Sequence, residues 1–299
     1  MKTAGAPFSE RVVEFGPGNR LVGVLTSPAG GTGRSPVVLF LNAGIVHRVG
    51  PNRLHVRLAR FLAARGIPSF RYDLPGIGDS DPLGGGTPDE QAVVSVSAAL
   101  DRLQMMKVAD QSVLVGLCAG ADQSLAAALV DPRVVGAFMI DPPMMFSTRR
   151  HRIIKFLRRA GRGVRKPSAV WQMLTGRRKF DVLGHITEDE AREFGVPVAP
   201  SGDTLAEERG RMADAFNTLA RRSVRIFYLV TSHNSEVMTY RTQITDAFPE
   251  IPQLRKLLQA DVRPQADHTF SREGDRVYLE NTLAEWLEKS VFPSAAPAA

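Results

Sequence analysis

Cysteine is almost absent from this chain: Cys118 is the only one among 299 residues. A single thiol excludes an intrachain disulfide and a cysteine-built zinc cluster, and it makes a reducing, cytoplasmic setting the default. Long apolar runs are missing as well. No stretch approaches the roughly 18 apolar residues of a membrane span. The opening MKTAGAPFSERVV has no apolar signal core, so neither an integral membrane association nor a secretory leader is expected. No internal repeat is visible.

Acidic residues are absent from one segment. Between Met144 and Lys179 stand 12 Lys and Arg and no Asp or Glu, in a chain with 38 basic and 31 acidic residues. The formal net charge of +7 is therefore local, and the rest of the chain is net negative. Charge concentrated in this way speaks about a partner, not about the fold.

What is present is an alternation of short apolar runs with helical patterns, the mark of a mostly parallel sheet wrapped by helices. Arg11–Phe15 and Arg20–Thr26, joined by Gly-Pro-Gly-Asn, predict an opening antiparallel hairpin. Pro36–Leu41, Ser69–Leu74, Gln111–Leu117, Val134–Ile140 and Val224–Thr231 predict further strands. Asn52–Arg65, Asp89–Met106, Ala119–Val130 and Arg276–Ser290 predict helices. The rhythm breaks between Pro143 and Ser223, where apolar residues such as Ile153, Phe156, Leu157 and Trp171 favour packed helices over a disordered linker. The expected division is a core of residues 1–143 and 223–292, a helical lid of residues 144–222 that is basic in its first half, and a disordered tail of residues 293–299.

The chemistry is carried by Val113-Leu114-Val115-Gly116-Leu117-Cys118-Ala119-Gly120-Ala121. A β-rich apolar run enters a Gly-x-Cys-x-Gly turn and an Ala-rich helical stretch follows, a strand–nucleophile–helix elbow with a thiol where a hydroxyl is usual. Glycines flank the nucleophile because the turn is too tight for larger side chains. A thiolate attacks thioesters and activated acyl groups readily, and the thioester it forms keeps its transfer potential. A buried structural cysteine is the plainer alternative.

Taken in order, four features resemble the α/β-hydrolase superfamily over the whole chain. They are the Asn42-Ala43-Gly44 loop, the Asp-x-x-Gly-x-Gly-x-Ser run from Asp73 to Ser80, the Cys118 elbow, and the late Asp267-His268-Thr269-Phe270. More narrowly, Asn42-Ala43-Gly44 with Arg48, Gly50, Pro51 and the basic segment resembles the exosortase-system-associated hydrolases. The cysteine elbow is similar to that of aminoacyl transferases of nonribosomal peptide pathways, which shuttle acyl groups between carrier proteins. The superfamily resemblance implies an α/β-hydrolase fold: a mostly parallel, eight-stranded sheet with a helical lid inserted after strand 6.

His268, 150 residues beyond Cys118, falls where the superfamily's histidine loop falls and is the candidate base. His47 and His55 flank the expected oxyanion loop and could touch substrate; His151 and His185 lie in the lid, and His233 after the seventh strand. The third member is open. The superfamily's usual Asp is missing from Thr231-Ser232-His233-Asn234-Ser235-Glu236, whereas Asp141 ends the sixth strand, 23 residues past Cys118, where some α/β-hydrolases carry the acid. Asp141 is preferred, Glu236 is the alternative acid, and Asn234 or no partner is the remainder. The oxyanion hole is expected from the N–H groups of Ala119 and Gly44. Asn42 and Arg48 are candidate substrate-binding residues. For Asn42, bracing of its own loop is the preferred reading over contact with substrate, and Arg48 could equally form a structural salt bridge.

These residues predict acyl transfer through an acyl-Cys118 intermediate. The donor would be an acyl or aminoacyl thioester on a carrier protein or coenzyme A, and a thiol, an amine or water would accept. The alternatives are hydrolysis of small esters, lactones or amides, which a serine in place of Cys118 would favour, and a non-catalytic binding module. The basic segment, with Arg158, Arg159 and Arg162 near its centre, is expected to dock an acidic acyl- or peptidyl-carrier protein. A membrane-surface stripe and a merely solvated face are the competing readings. Nucleic acid is not expected, because no recognition motif accompanies the charge and aromatics are few. No metal and no cofactor are expected.

Overall fold

Val37–Leu41 and Ser112–Leu117 are buried at every position. Near-continuous apolar runs adopt this state when helices cover both faces of a parallel sheet. The computed structural model describes residues 8–30, 36–142, 147–155 and 202–292. Its eight strands are β1 (Phe8–Phe15), β2 (Leu21–Pro28), β3 (Val37–Leu41), β4 (Ser69–Tyr72), β5 (Ser112–Leu117), β6 (Val134–Ile140), β7 (Arg225–Thr231) and β8 (Leu258–Arg263). They form one sheet in the order β1-β2-β4-β3-β5-β6-β7-β8. β2 runs antiparallel to both its neighbours, and every pairing from β4 to β8 is parallel. This is an α/β-hydrolase fold.

The sheet's alternation sorts its side chains into two layers. Leu39, Leu41, Phe70, Tyr72, Leu114, Met139 and Tyr228 face α2 (Pro88–Met105), α3 (Ala119–Val130) and α4 (Gly202–Arg221). Val38, Phe40, Val115, Phe138, Phe227 and Leu229 face α1 (Leu54–Ala63) and the last long helix, Glu273–Trp286. On that side Phe138 and Phe227 stack at 4.6 Å and Trp286 meets both rings edge-on, a preferred aromatic geometry. Two short helices, α5 (Gln243–Ala247) and α6 (Leu254–Leu257), lead to β8, so the last long helix is α7. α2 starts at a capping box: Thr87 accepts from the Glu90 N–H, and Glu90 accepts from the Thr87 N–H, with Pro88 next.

Between β6 and β7 the described chain is helical, at residues 149–155 and in α4. The first piece is tied to the loop after β7. Thr148 Oγ1 lies 2.6 Å from the Tyr240 hydroxyl, the Arg150 guanidinium covers the Tyr240 ring, and the His151 Nε2–H donates to the Glu236 carbonyl at 2.9 Å. α4 buries Phe216 and Leu219 completely in the sheet's own core cluster. It therefore packs with the core, although the expected lid ran to residue 222. The proposed docking arginines Arg158, Arg159 and Arg162, together with His185 and the tail 293–299, lie outside the described residues. Among the described residues, no helix is long and apolar enough to cross a membrane.

Candidate active site

In a parallel sheet the strands all end on one edge, and each following helix begins there. β5 ends at Leu117, and Cys118 turns the chain directly into α3 with φ 57° and ψ −121°. A non-glycine residue at positive φ is strained, and such strain collects at functional sites. The elbow survives because its glycines let three backbones close in. A Cβ on Gly116 would stand 2.0 Å from the Gly120 carbonyl oxygen, and one on Gly120 would stand 2.5 Å from that of Asn42. The Cys118 N–H donates to the Ile140 carbonyl at 2.9 Å, so β6 clamps the turn. The thiol is half-buried.

Ile140 is followed by Asp141, whose φ of 48° is also positive. Its carboxylate is fully buried. Oδ1 accepts the Thr231 N–H at 2.7 Å, and Oδ2 accepts the Thr231 hydroxyl at 2.5 Å. Oδ2 also lies 2.8 Å from His268 Nδ1. A carboxylate at this distance fixes the imidazole as the tautomer protonated on Nδ1, which leaves Nε2 as the basic nitrogen. The His268 loop has its own framework. Asp267 accepts from the hydroxyls and N–H groups of Thr269 and Ser271. These bonds, the Ser271 hydroxyl first, hold its carboxyl well below the usual carboxylate range. Asn52 ties the same loop to the start of α1 through the Thr269 carbonyl at 3.2 Å.

The structure thus brings His268 and Asp141 together and sets Cys118 on the neighbouring strand end. Glu236 is exposed on the loop after β7. Asn234 spends its amide on the carbonyls of Asp141 and Pro142, both at 3.1 Å, and so braces the acid's backbone. Ala119 opens α3, where the first N–H groups of a helix lack intrahelical partners. Gly44 is exposed at φ 58° in the loop after β3.

Two substrate-binding expectations are corrected. Asn42 is fully buried: its Nδ2 donates to the Val46 carbonyl at 2.8 Å and its Oδ1 accepts the Leu74 N–H at 2.7 Å. Both ends of the amide hold the loop, and neither is left for a ligand. Arg48 is an ion-pair residue. Its guanidinium bonds the buried Asp73 and also Asp79, and its N–H donates to Asp73 at 2.5 Å. His55 does not face substrate either. It is enclosed against Phe40 at 5.3 Å, and burial, with Arg71 nearby, pushes its pKa down to about 4, so it is neutral. His47 is exposed.

Sequence reasoning missed two contributors. Thr231 gives Asp141 two of its hydrogen bonds; the available signal was a hydroxyl residue closing an otherwise apolar strand. His233, placed after the seventh strand with no role assigned, packs its ring 4.3 Å from that of His268. Among the described residues no group of three His, Cys, Asp or Glu side chains could hold a metal ion.

This chain belongs to the alpha/beta hydrolase family, whose family model matches residues 38–280. It is an enzyme of the α/β-hydrolase superfamily. The esterase Pf2001 of Pyrococcus furiosus shares the fold at a TM-score of 0.59 with 12% identity, over 95% of this chain and 92% of that one. The alpha/beta hydrolase GrgF of a Penicillium species follows at 0.55 and 20% identity, over 95% and 99%. DcsB, solved with its substrate analogue, gives 0.52 and 18% identity, over 94% and 100%. No curated protein matches this sequence.

Proposed function

We propose that this enzyme transfers acyl groups through a thioester on Cys118, with His268 as acid–base and Asp141 as the residue that orients it. The observation that carries this reading is the 2.8 Å contact between His268 Nδ1 and a buried Asp141, one strand end away from a cysteine held in a strained elbow. In the proposed cycle, Nε2 of His268 takes the Cys118 thiol proton, and Sγ attacks the donor's carbonyl carbon. The N–H groups of Ala119 and Gly44 stabilise the tetrahedral oxyanion. The carbon–leaving-group bond breaks, and His268 returns the proton to the departing thiol or alcohol. A second thiol, an amine or water then attacks the acyl-Cys118 carbonyl by the same steps in reverse.

A thioester donor suits a thiol nucleophile, because exchange between two thioesters is nearly balanced in energy. The concentrated positive charge of Met144–Lys179 supports a carrier protein or coenzyme A as the donor's vehicle, since either would bring negative charge to it.

Cys118→Ala should abolish turnover of acyl-carrier and small N-acetylcysteamine thioesters alike, and a variant that kept wild-type turnover would remove the nucleophile assignment. Reversing Arg158, Arg159 and Arg162 to Glu should raise KM for the carrier-bound donor only, and the wild-type KM should rise with salt. Equal effects on both donors would make the segment substrate-lining.

A further inference from the structure

The loop after β7, Thr231-Ser232-His233-Asn234-Ser235-Glu236, holds no aspartate. With the acid supplied by Asp141, this loop is free for another task, and it is fastened on both sides of the site. The Ser232 N–H donates to the Ala266 carbonyl at 2.9 Å, two residues before His268. The His233 N–H donates to the Thr231 hydroxyl oxygen at 3.3 Å, and that hydroxyl in turn donates to Asp141. The Asn234 amide holds the Asp141 and Pro142 carbonyls. His233 therefore stands on a backbone pinned both to the acid and to the base's own loop.

From there its ring reaches His268. The two centroids are 4.3 Å apart with the ring planes at 40°. That is closer than the roughly 4.5–7 Å of ordinary aromatic pairs, so the ring surfaces are in contact. The His233 side chain is exposed, and among the described residues no hydrogen bond engages its ring nitrogens. The loop offers His268 a flat surface, with no polar tether.

Such a surface meets two needs of the base. The bond from Asp141 is one contact at one nitrogen, and a ring held at one atom can swing about it, carrying Nε2 away from the thiol. Core packing does not prevent this, because the His268 side chain is 27% exposed. The ring also becomes a cation when it takes the thiol proton, and an aromatic face attracts a cation. Resting on the reading of His268 as the acid–base, we infer that His233 is a positioning residue. Its ring stops the swing of the His268 imidazole and stabilises the imidazolium formed while Cys118 is acylated.

Single-turnover loading of Cys118 with acetyl-N-acetylcysteamine over a range of concentrations, followed by intact-protein mass, separates rate from affinity. His233→Ala should lower the limiting rate about 5- to 30-fold. The half-saturating concentration and the Tm should stay at wild-type values, since the side chain is exposed. His233→Phe keeps a flat ring and carries no proton, and it should recover most of the lost rate. A limiting rate within about twofold of wild type in His233→Ala overturns the proposal. So does a deficit in His233→Phe as deep as in His233→Ala, which would make the residue a proton carrier, and so does a change confined to half-saturation, which would make it a substrate contact. Failure of wild type to load Cys118 at all overturns instead the nucleophile reading on which the proposal rests.

Discussion

Replacing Asp141 by Asn keeps the side chain's size and removes its charge. In the native site the carboxylate accepts three hydrogen bonds, two from Thr231 and one from His268, with no solvent exposure. An asparagine offers one oxygen. If the oxygen stays at the Thr231 N–H, the amide N–H group faces His268 Nδ1, and the ring must move its proton to Nε2 to avoid two opposed donors. The base is then lost. If the amide is flipped instead, its N–H group opposes the Thr231 N–H across the present 2.7 Å contact, at a cost of about 1–3 kcal/mol for the unsatisfied buried donors. General-base assistance contributes roughly 10²–10⁴-fold, and a thiol, being partly self-ionising, depends on it less than a hydroxyl does. Acylation of Cys118 at pH 7 should therefore fall about 10²-fold, with a loss of stability of about 1–2 kcal/mol. Single-turnover loading with an N-acetylcysteamine thioester reads the first quantity, and urea unfolding the second. Loading at pH 7 within about threefold of wild type would refute the orienting role.

Arg48→Met should destabilise the fold by about 3 kcal/mol, because it strands the fully buried Asp73 carboxylate; a rise in KM without a fall in Tm would restore the substrate-binding reading. His55 binds a proton only near pH 4 when folded, against about 6.5 when unfolded, so the unfolded state holds more protons between those values. Its contribution is complete above pH 6.5 and is lost as pH falls to 4, about 3 kcal/mol in all. His55→Leu should flatten the urea midpoint over that window, and an unchanged slope would show that other groups control acid unfolding.

The elbow and the two strand-end residues were legible because a parallel sheet converts sequence order into spatial order. Cys118 and Asp141 close strands that pair along their length, and Leu117 pairs with Ile140 directly before them. His268 was legible by its spacing. Long-range pairing of charges was not. Arg48 reaches carboxylates 25 and 31 positions away, and nothing local distinguishes a guanidinium that meets a ligand from one that meets its own chain. β8 was missed because an edge strand needs little apolar pattern: in Leu-Gln-Ala-Asp-Val-Arg only Leu258 is buried. α4 was assigned to the lid because its polar residues outnumber the apolar stripe, with Phe216 and Leu219, that holds it to the sheet.

The central claim is that the acyl group passes through Cys118. Wild-type enzyme quenched in acid within one turnover of an acyl thioester, digested and mapped by mass spectrometry should carry the acyl mass on the peptide containing Cys118. Hydroxylamine should remove it, and Cys118→Ala should show no adduct. Full turnover with no acyl mass on that peptide, or with the acyl mass on another residue, would contradict the account.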